Sequence, residues 1–166
     1  LSRAAVIGTR FSAPLLETLP GLEPGVVRRT VMDACQKSIL DAAERQDQYV
    51  FLHQRVRDAL VERLSDVDVR QIHQNIAEAI DSSESKSPSD IYAMAEHYAQ
   101  GDVQANPARV FRATREAGIR ALNDHGPDAA FRFFEQARGF LELGEGIDQR
   151  EQAYLARWMG EACIRT

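Results

Sequence analysis

The length of 166 residues allows one domain of ordinary size or two small ones. A hydrophobic content of 44% is enough for a packed core, and no apolar run approaches the about 20 residues that a membrane-spanning helix needs. The net charge of −5 argues against a nucleic-acid-binding protein, because such proteins concentrate basic residues. Cys35 and Cys163 lie far apart and outside any zinc-ligand spacing. We therefore expect no disulfide framework, no metal site and a reducing, cytoplasmic location.

The first part of the chain predicts three helices. Gly8 ends the first, and Pro14 stands at the start of the second, where proline is tolerated because N–H groups in a first turn have no intrahelical partner. Pro20-Gly21 ends the second helix. The predicted helices span residues 1–7, 14–19 and 24–43, and the buried stripe of the third consists of Val27, Val31, Ala34, Cys35 and Ile39.

Residues 49–52 read Tyr-Val-Phe-Leu and predict a strand, since β-branched and aromatic residues favour one. A polar turn at residues 44–48 precedes the run, so the strand can pair with the residues just before that turn. Three helices followed by a β-hairpin are typical of a winged helix. The alternative is an irregular helical bundle without a wing.

Two amphipathic helices follow His53. In the second, apolar residues recur at the spacing of a single helical face. His73 falls on this face, so we expect a core histidine rather than a ligand. Asp66 and Asp68 stand at the start of the same helix, where carboxylates stabilise the helix dipole. The predicted face consists of Val69, Ile72, His73, Ile76, Ala77 and Ile80.

The run from Phe51 to Ala77 resembles the end of the winged-helix module in bacterial signal-transducing P-loop ATPases, the STAND class. In that family F-x-H…(V/I)-R-(D/E)-A-L is followed by R-x-(L/I)-H-x-x-I-A. The resemblance implies that an ATPase core, which binds ATP or ADP with Mg²⁺, precedes residue 1 and that the chain, which begins without methionine, is a fragment. The matching positions are Phe51, His53, Val56, Arg57, Asp58, Ala59, Leu60, Arg70, His73, Ile76 and Ala77.

The same resemblance implies a role for His53. In related ATPases the winged helix folds over the nucleotide domain, and the histidine of an M-H-D motif contacts the phosphates of bound ADP. Leu52, His53 and Gln54 occupy the corresponding positions here, with an amide in place of the acidic residue. His53 is thus a candidate ADP-phosphate sensor in the full-length protein. The structural alternative is that His53 caps the helix that follows it.

The segment SSESKSPSD at residues 82–90 is the one low-complexity stretch. It lacks apolar residues to bury and predicts a flexible linker. Ser89 or Asp90 can cap the next helix. The expected organisation is a winged-helix-like domain with its following helices at 1–81, a linker at 82–90 and a helical repeat at 91–166.

Residues 91–166 predict antiparallel helix pairs. Asn106 and Pro107 form a helix start, and Gly126-Pro127 breaks that helix and begins another. Small residues let two helices approach closely, and a phenylalanine fills the groove between them, as in a tetratricopeptide repeat. The residues that match these small and large positions are Gly118, Ala130, Phe134 and Ala137, whereas Thr114 and Ala121 depart from the pattern.

Four helices are expected in this second half, the last of them at residues 150–164 after Gly144-Glu145-Gly146. One helix without a partner predicts that the array continues beyond Thr166. We expect His97 and His125, near helix ends, to have surface or capping roles. The predicted faces are Ile91, Met94, Ala95, Tyr98 and Ala99; Val110, Phe111, Thr114, Ala117, Gly118, Ala121 and Leu122; Ala130, Phe133, Phe134, Ala137 and Leu141; and Ala156, Met159, Gly160 and Cys163.

No phosphate-binding loop, nucleophile elbow or H-E-x-x-H motif is present, so we expect no catalytic residues. The predicted function is a non-catalytic regulatory and protein-interaction fragment of a multidomain signalling ATPase, with a protein or small-molecule effector on the helical repeat. One alternative is a DNA-binding winged-helix transcriptional regulator, and another is a stand-alone helical scaffold. DNA binding is disfavoured because Arg28, Arg29 and Lys37 stand against Asp33, Asp41 and Glu44 around the third helix.

Overall fold

Helices dominate the computed structural model, which describes residues 1–143 and 146–165. The expectation of a mostly helical chain with a small β-sheet is confirmed, with 70% of the structure helical. The chain divides into two units, Leu1–Ser82 and Ser83–Thr166. The first contains α1 (Ser2–Ile7), β1 (Arg10–Ser12), α2 (Ala13–Thr18), α3 (Pro24–Gln36), β2 (Leu40–Ala42), β3 (Gln48–Phe51), α4 (Gln54–Glu62) and α5 (Asp66–Asp81). The second contains α6 (Pro88–Gln100), α7 (Pro107–Asn123), α8 (Pro127–Phe140), a 3₁₀ turn (Leu141–Leu143) and α9 (Gln149–Arg165).

Three short strands of the first unit form an antiparallel sheet in the order β1-β3-β2. The central strand β3 places Tyr49 opposite Phe11 and Phe51 opposite Leu40. The rings of Phe11 and Phe51 lie 5.8 Å apart, and both residues are buried. The pairing of this strand with the residues before the turn was predicted, but β1 was not, because three residues are too few to show an alternating pattern.

The third helix is shorter than the predicted span of residues 24–43. It ends at Gln36, and Ser38 adopts a positive φ of 53° that turns the chain into β2. Leu40 is buried and pairs with Phe51, so sheet pairing outweighs continuation of the helix. Of the predicted stripe, Val27, Val31 and Ala34 are buried, whereas Cys35 and Ile39 are half-buried.

Helix α5 buries the face that its sequence predicts. Ser65 is its N-cap and accepts a hydrogen bond from the Asp68 N–H at 3.1 Å. Asp66 and Asp68 lie in the first turn, as expected from the helix dipole. The buried residues are Ile72, His73, Ile76, Ala77 and Ile80, with Val69 half-buried.

Helix α6 begins inside the segment predicted as a linker, at Pro88. Its N-cap is Ser87 rather than Ser89 or Asp90. The Ser87 side chain accepts a hydrogen bond from the Asp90 N–H, and the Asp90 carboxylate accepts one from the Ser87 N–H at 2.8 Å. This capping box satisfies two backbone donors that a helix otherwise leaves without partners, which explains the earlier start.

The helices of the second unit pack in succession, α6 on α7, α7 on α8 and α8 on α9. Asn106 caps α7 by accepting a hydrogen bond from the Arg109 N–H at 3.1 Å, and α8 begins at Pro127, as predicted. His97 is buried in α6, so its expected surface role is wrong; the helix continues past it to Gln100 and directs this side chain inward. His125 is exposed at the end of α7, as expected.

Helix α9 buries a different face from the predicted one. The prediction placed Ala156 and Gly160 inward, whereas the packing buries the larger Leu155, because a larger side chain removes more apolar surface from water. Gly144 and Glu145, which belong to the predicted break before this helix, lie outside the described residues. The residues turned inward are Leu155 and Ala162, with Trp158 and Met159 half-buried, and those left exposed are Ala156, Gly160 and Cys163.

Candidate functional site

His53 is the residue that joins β3 to α4. Its backbone is extended, with φ −130° and ψ 116°, and its carbonyl accepts hydrogen bonds from the N–H groups of Val56 (3.1 Å) and Arg57 (3.3 Å). The imidazole is exposed and makes no capping hydrogen bond to the described part of α4. His53 is therefore the N-cap residue of α4, although its side chain takes no part in the capping. Only the backbone of His53 starts α4.

Leu52, next to His53, leaves 45% of its surface exposed. Its N–H donates to the carbonyl of Ile39, the residue before β2, at 3.1 Å, so the backbone at this position is held in place. Two exposed residues, one apolar and one an imidazole, thus follow each other on a backbone that is held by hydrogen bonds on both sides. Such a pair can contact a partner surface through both apolar packing and a hydrogen bond.

The polar residues that follow His53 attach α4 to the rest of the first unit. Gln54 accepts a hydrogen bond from the Thr9 hydroxyl at 3.2 Å and donates one to Asp58 at 2.9 Å. Arg57 donates from Nε to the carbonyl of Ala5 at 2.9 Å, and its guanidinium lies 3.3 Å from Asp58. Arg57 and Asp58, which carry part of the family resemblance, therefore have a structural role that sequence reasoning missed.

His73 lies on the buried face of α5, and only 8% of its surface is exposed. Burial lowers the pKa of its imidazole, and the positive charge of Arg57 lowers this pKa further. Folding therefore favours the neutral form of His73 over the charged one. The expectation of a core histidine agrees with this position.

Helix α3 and the β2–β3 hairpin are where a winged helix would contact DNA. Arg28 on α3 forms an ion pair with Glu17 at 2.9 Å, so part of its charge is already neutralised. The hairpin tip, residues 43–47, reads Ala-Glu-Arg-Gln-Asp and contributes more negative than positive charge. Arg29 on α3 and Lys37, one residue past its end, are exposed, but so is Asp33 on the same helix. This mixture is a poor complement to a phosphate backbone.

In the second unit, charged side chains attach α9 to α7. Arg112 contacts both carboxylate oxygens of Glu151, at 2.8 and 3.2 Å, and also donates to the Gly146 carbonyl at 3.1 Å. Arg115 lies 3.4 Å from the same carboxylate. The hydrogen bond from Arg112 holds the pKa of Glu151 below its usual range. These contacts fix the start of α9 and have a structural role.

A second polar network in this unit surrounds Asp124. The Tyr92 hydroxyl donates to its carboxylate at 2.8 Å, and Arg120 pairs with it at 3.0 Å. The Tyr92 ring also stacks on Phe133, with ring centroids 5.8 Å apart. Because Tyr92 lies on α6 and Phe133 on α8, this network holds both helices around the end of α7. It is a structural network rather than a site.

In the described part of the chain, no three His, Cys, Asp or Glu side chains are grouped so that they could hold a metal ion. None of the helices seen there has both the length and the apolar character needed to cross a bilayer. The region around His53 is the candidate site that the family resemblance singles out. Comparisons of the chain with protein-family models, with curated proteins and with solved structures found no match.

Proposed function

We propose that this chain is the regulatory and protein-interaction region of a bacterial, cytoplasmic signalling ATPase of the STAND type and has no catalytic activity of its own. The observation that carries the proposal is the exposed Leu52–His53 pair, held at the junction of β3 and α4. The order α1-β1-α2-α3-β2-β3, with the sheet ordered β1-β3-β2, supports a winged helix immediately before this junction.

In the proposed mechanism the first unit packs against the ATPase domain of the same protein when that domain holds ADP. The ATPase domain supplies the nucleotide and Mg²⁺ site. Leu52 contributes apolar contact to this interface, and the His53 imidazole donates a hydrogen bond to an ADP phosphate. The contact stabilises the resting state because a hydrogen bond to a charged group contributes about 1.5–3 kcal/mol.

The second unit is proposed to receive the signal. Its successive helices and the close contact between α7 and α8 support a tetratricopeptide-like array, which binds a protein or small-molecule effector. Effector binding would favour release of the first unit from the ATPase domain. A signal on one unit is thereby converted into a change of nucleotide state.

The other two functions receive less support. A DNA-binding regulator would need an excess of cations on α3 and the hairpin tip, where the charges are mixed. A stand-alone scaffold gives no reason for the exposed Leu52–His53 pair on the first unit.

The experiment uses the protein that contains residues 1–166 together with its ATPase domain. We expect His53→Ala to accelerate ADP release roughly ten- to a hundredfold and to raise output without effector. Arg55→Ala, an exposed change two residues away on α4, is the matched control and should leave ADP release unaltered.

The same His53→Ala change in residues 1–166 alone should leave the melting temperature unaltered, because the imidazole makes no capping bond within the described structure. A variant that unfolds this region while ADP release stays at the wild-type rate would rule out the sensor role. The absence of a G-x-x-x-x-G-K-(S/T) motif from the remainder of the protein would rule out the ATPase itself.

A further inference from the structure

A cleft in the first unit lies between α3 and α5, and its lining does not include Leu52 or His53. Its volume is about 540 Å³. This value falls in the range of roughly 300–1,000 Å³ that small-molecule sites occupy. The floor is apolar and consists of Leu16, Val27, Val31 and Ile72, all of them buried.

The two helices that border the cleft carry uncharged hydrogen-bonding groups. Thr30 projects from α3, and Gln71 and Asn75 project from α5, four residues apart and therefore on one helix face. The Gln71 Nε2 donates to Asn75 Oδ1 at 3.1 Å. This bond leaves the Gln71 carbonyl oxygen as an acceptor and the Asn75 amide as a donor for a bound molecule.

The two charged side chains of the cleft have opposite signs and already have hydrogen-bond partners. The Asp68 carboxylate accepts a hydrogen bond from the Ser65 hydroxyl at 2.7 Å, and Arg3 donates to the Pro20 carbonyl. An ionic ligand would therefore gain little from them, because it would have to displace existing partners. The lining favours a neutral molecule.

We propose that this cleft binds a neutral, mainly apolar small molecule that carries one hydrogen-bonding group. Its apolar body lies on the floor formed by α2, α3 and α5, and its polar group bonds Gln71 or Asn75. The volume suits one drug-sized molecule, whereas a docked helix needs a groove that extends over several helical turns. The proposal does not depend on the role of His53.

The test titrates residues 1–166 with N-phenyl-1-naphthylamine, a neutral fluorescent probe with one N–H group. We expect saturable binding at one site. The N-methylated analogue lacks that donor and should bind roughly three- to tenfold more weakly, the loss of one hydrogen bond. In Gln71→Leu, the difference between the two probes should disappear, and because Gln71 is exposed this change leaves the core intact.

Two exposed valines supply a matched pair of occluding variants. Val26, in the first turn of α3, lines the cleft, and Val67, in the first turn of α5, does not. We expect Val26→Trp to weaken binding of the probe at least tenfold and Val67→Trp to leave it unaltered. Far-ultraviolet circular dichroism shows whether each variant is folded. If Val26→Trp does not fold, the Gln71→Leu variant still tests the proposal.

Absence of saturable binding would overturn the proposal and would favour a larger apolar partner for this surface. Two further results would show that the probe binds elsewhere, and each would overturn the proposal. One is an equal loss of binding in both tryptophan variants. The other is an unaltered preference for the N–H probe in Gln71→Leu. His53→Ala should leave probe binding unaltered, so failure here is distinguishable from failure of the ADP-sensor proposal.

Discussion

Gly118 and Phe134 are in such close contact that no side chain fits between them. A Cβ atom at position 118 would lie 2.4 Å from Cε1 of Phe134, a distance that real Cβ contacts do not reach. Both residues are fully or almost fully buried, Gly118 on α7 and Phe134 on α8. The phenylalanine ring thus occupies the space that a glycine leaves on the facing helix, and this contact sets how closely the two helices pack.

Gly118→Leu should destabilise the second unit by about 1–3 kcal/mol or more, because the added side chain overlaps a packed ring. Gly118→Ala should destabilise it as well. Gly139→Ala on α8 is the control, since a Cβ there meets no described atom within 4 Å. It should be neutral or stabilise the helix by up to about 1 kcal/mol. Urea denaturation followed by circular dichroism measures all three. A Gly118→Leu protein as stable as wild type would contradict the tetratricopeptide-like assignment.

The free energy of unfolding of the first unit should fall as the pH falls below about 6.5, the ordinary pKa of histidine. The pKa of His73 is lowered in the folded state, so the unfolded chain binds the proton more tightly. Neutral His73 makes its full contribution to stability at a pH above the pKa that it has in the unfolded chain. This contribution is lost as the pH falls toward the lower pKa that it has in the folded protein.

The measurement is urea denaturation at a series of pH values between 5 and 8, for wild type and for His73→Gln. The variant should lose the part of the pH dependence that belongs to this histidine. Identical pH profiles would show that burial of His73 does not affect proton binding.

Arg112→Ala should lower the stability of the second unit by about 0.5–1 kcal/mol at low salt, because Arg112 contacts Glu151 through two oxygens from a half-exposed position. The loss should shrink in 1 M NaCl, where such pairs are screened. Arg138→Ala, which breaks an exposed pair with Glu135 within α8, should have a smaller effect. Melting temperatures at 50 mM and 1 M NaCl test this. An equal loss at both salt concentrations would show that Arg112 acts through packing instead.

Binding to duplex DNA should be weak at physiological salt, because affinity depends on phosphate neutralisation and the chain carries a net charge of −5. Arg29→Ala, on the exposed side of α3, should leave this weak binding nearly unaltered. A gel-shift titration is the measurement. A dissociation constant in the micromolar range or tighter would make the DNA-binding regulator the preferred function.

The sequence by itself determined those helices whose starts and buried faces depend on residues close together in the chain. The face of α5 and the face of α7 follow from apolar residues at helical spacing, and Asn106 with Pro107 marks the start of α7. The small residue at Gly118 and the large one at Phe134 also predicted their contact. The strand-to-helix position of His53 was predictable for the same reason.

Only the tertiary structure decided the features that depend on distant partners. Residues 40–42 form a strand instead of continuing the predicted helix, because Leu40 gains a buried position opposite Phe51. Likewise, β1 forms because Phe11 pairs with Tyr49. The inward face of α9 depends on what the neighbouring helices offer, so Leu155 is buried and Gly160 is not. The exposure of His53 likewise depends on what packs around it. Local periodicity reports how residues are arranged along one element, whereas burial and strand pairing depend on contacts between elements that are remote in sequence.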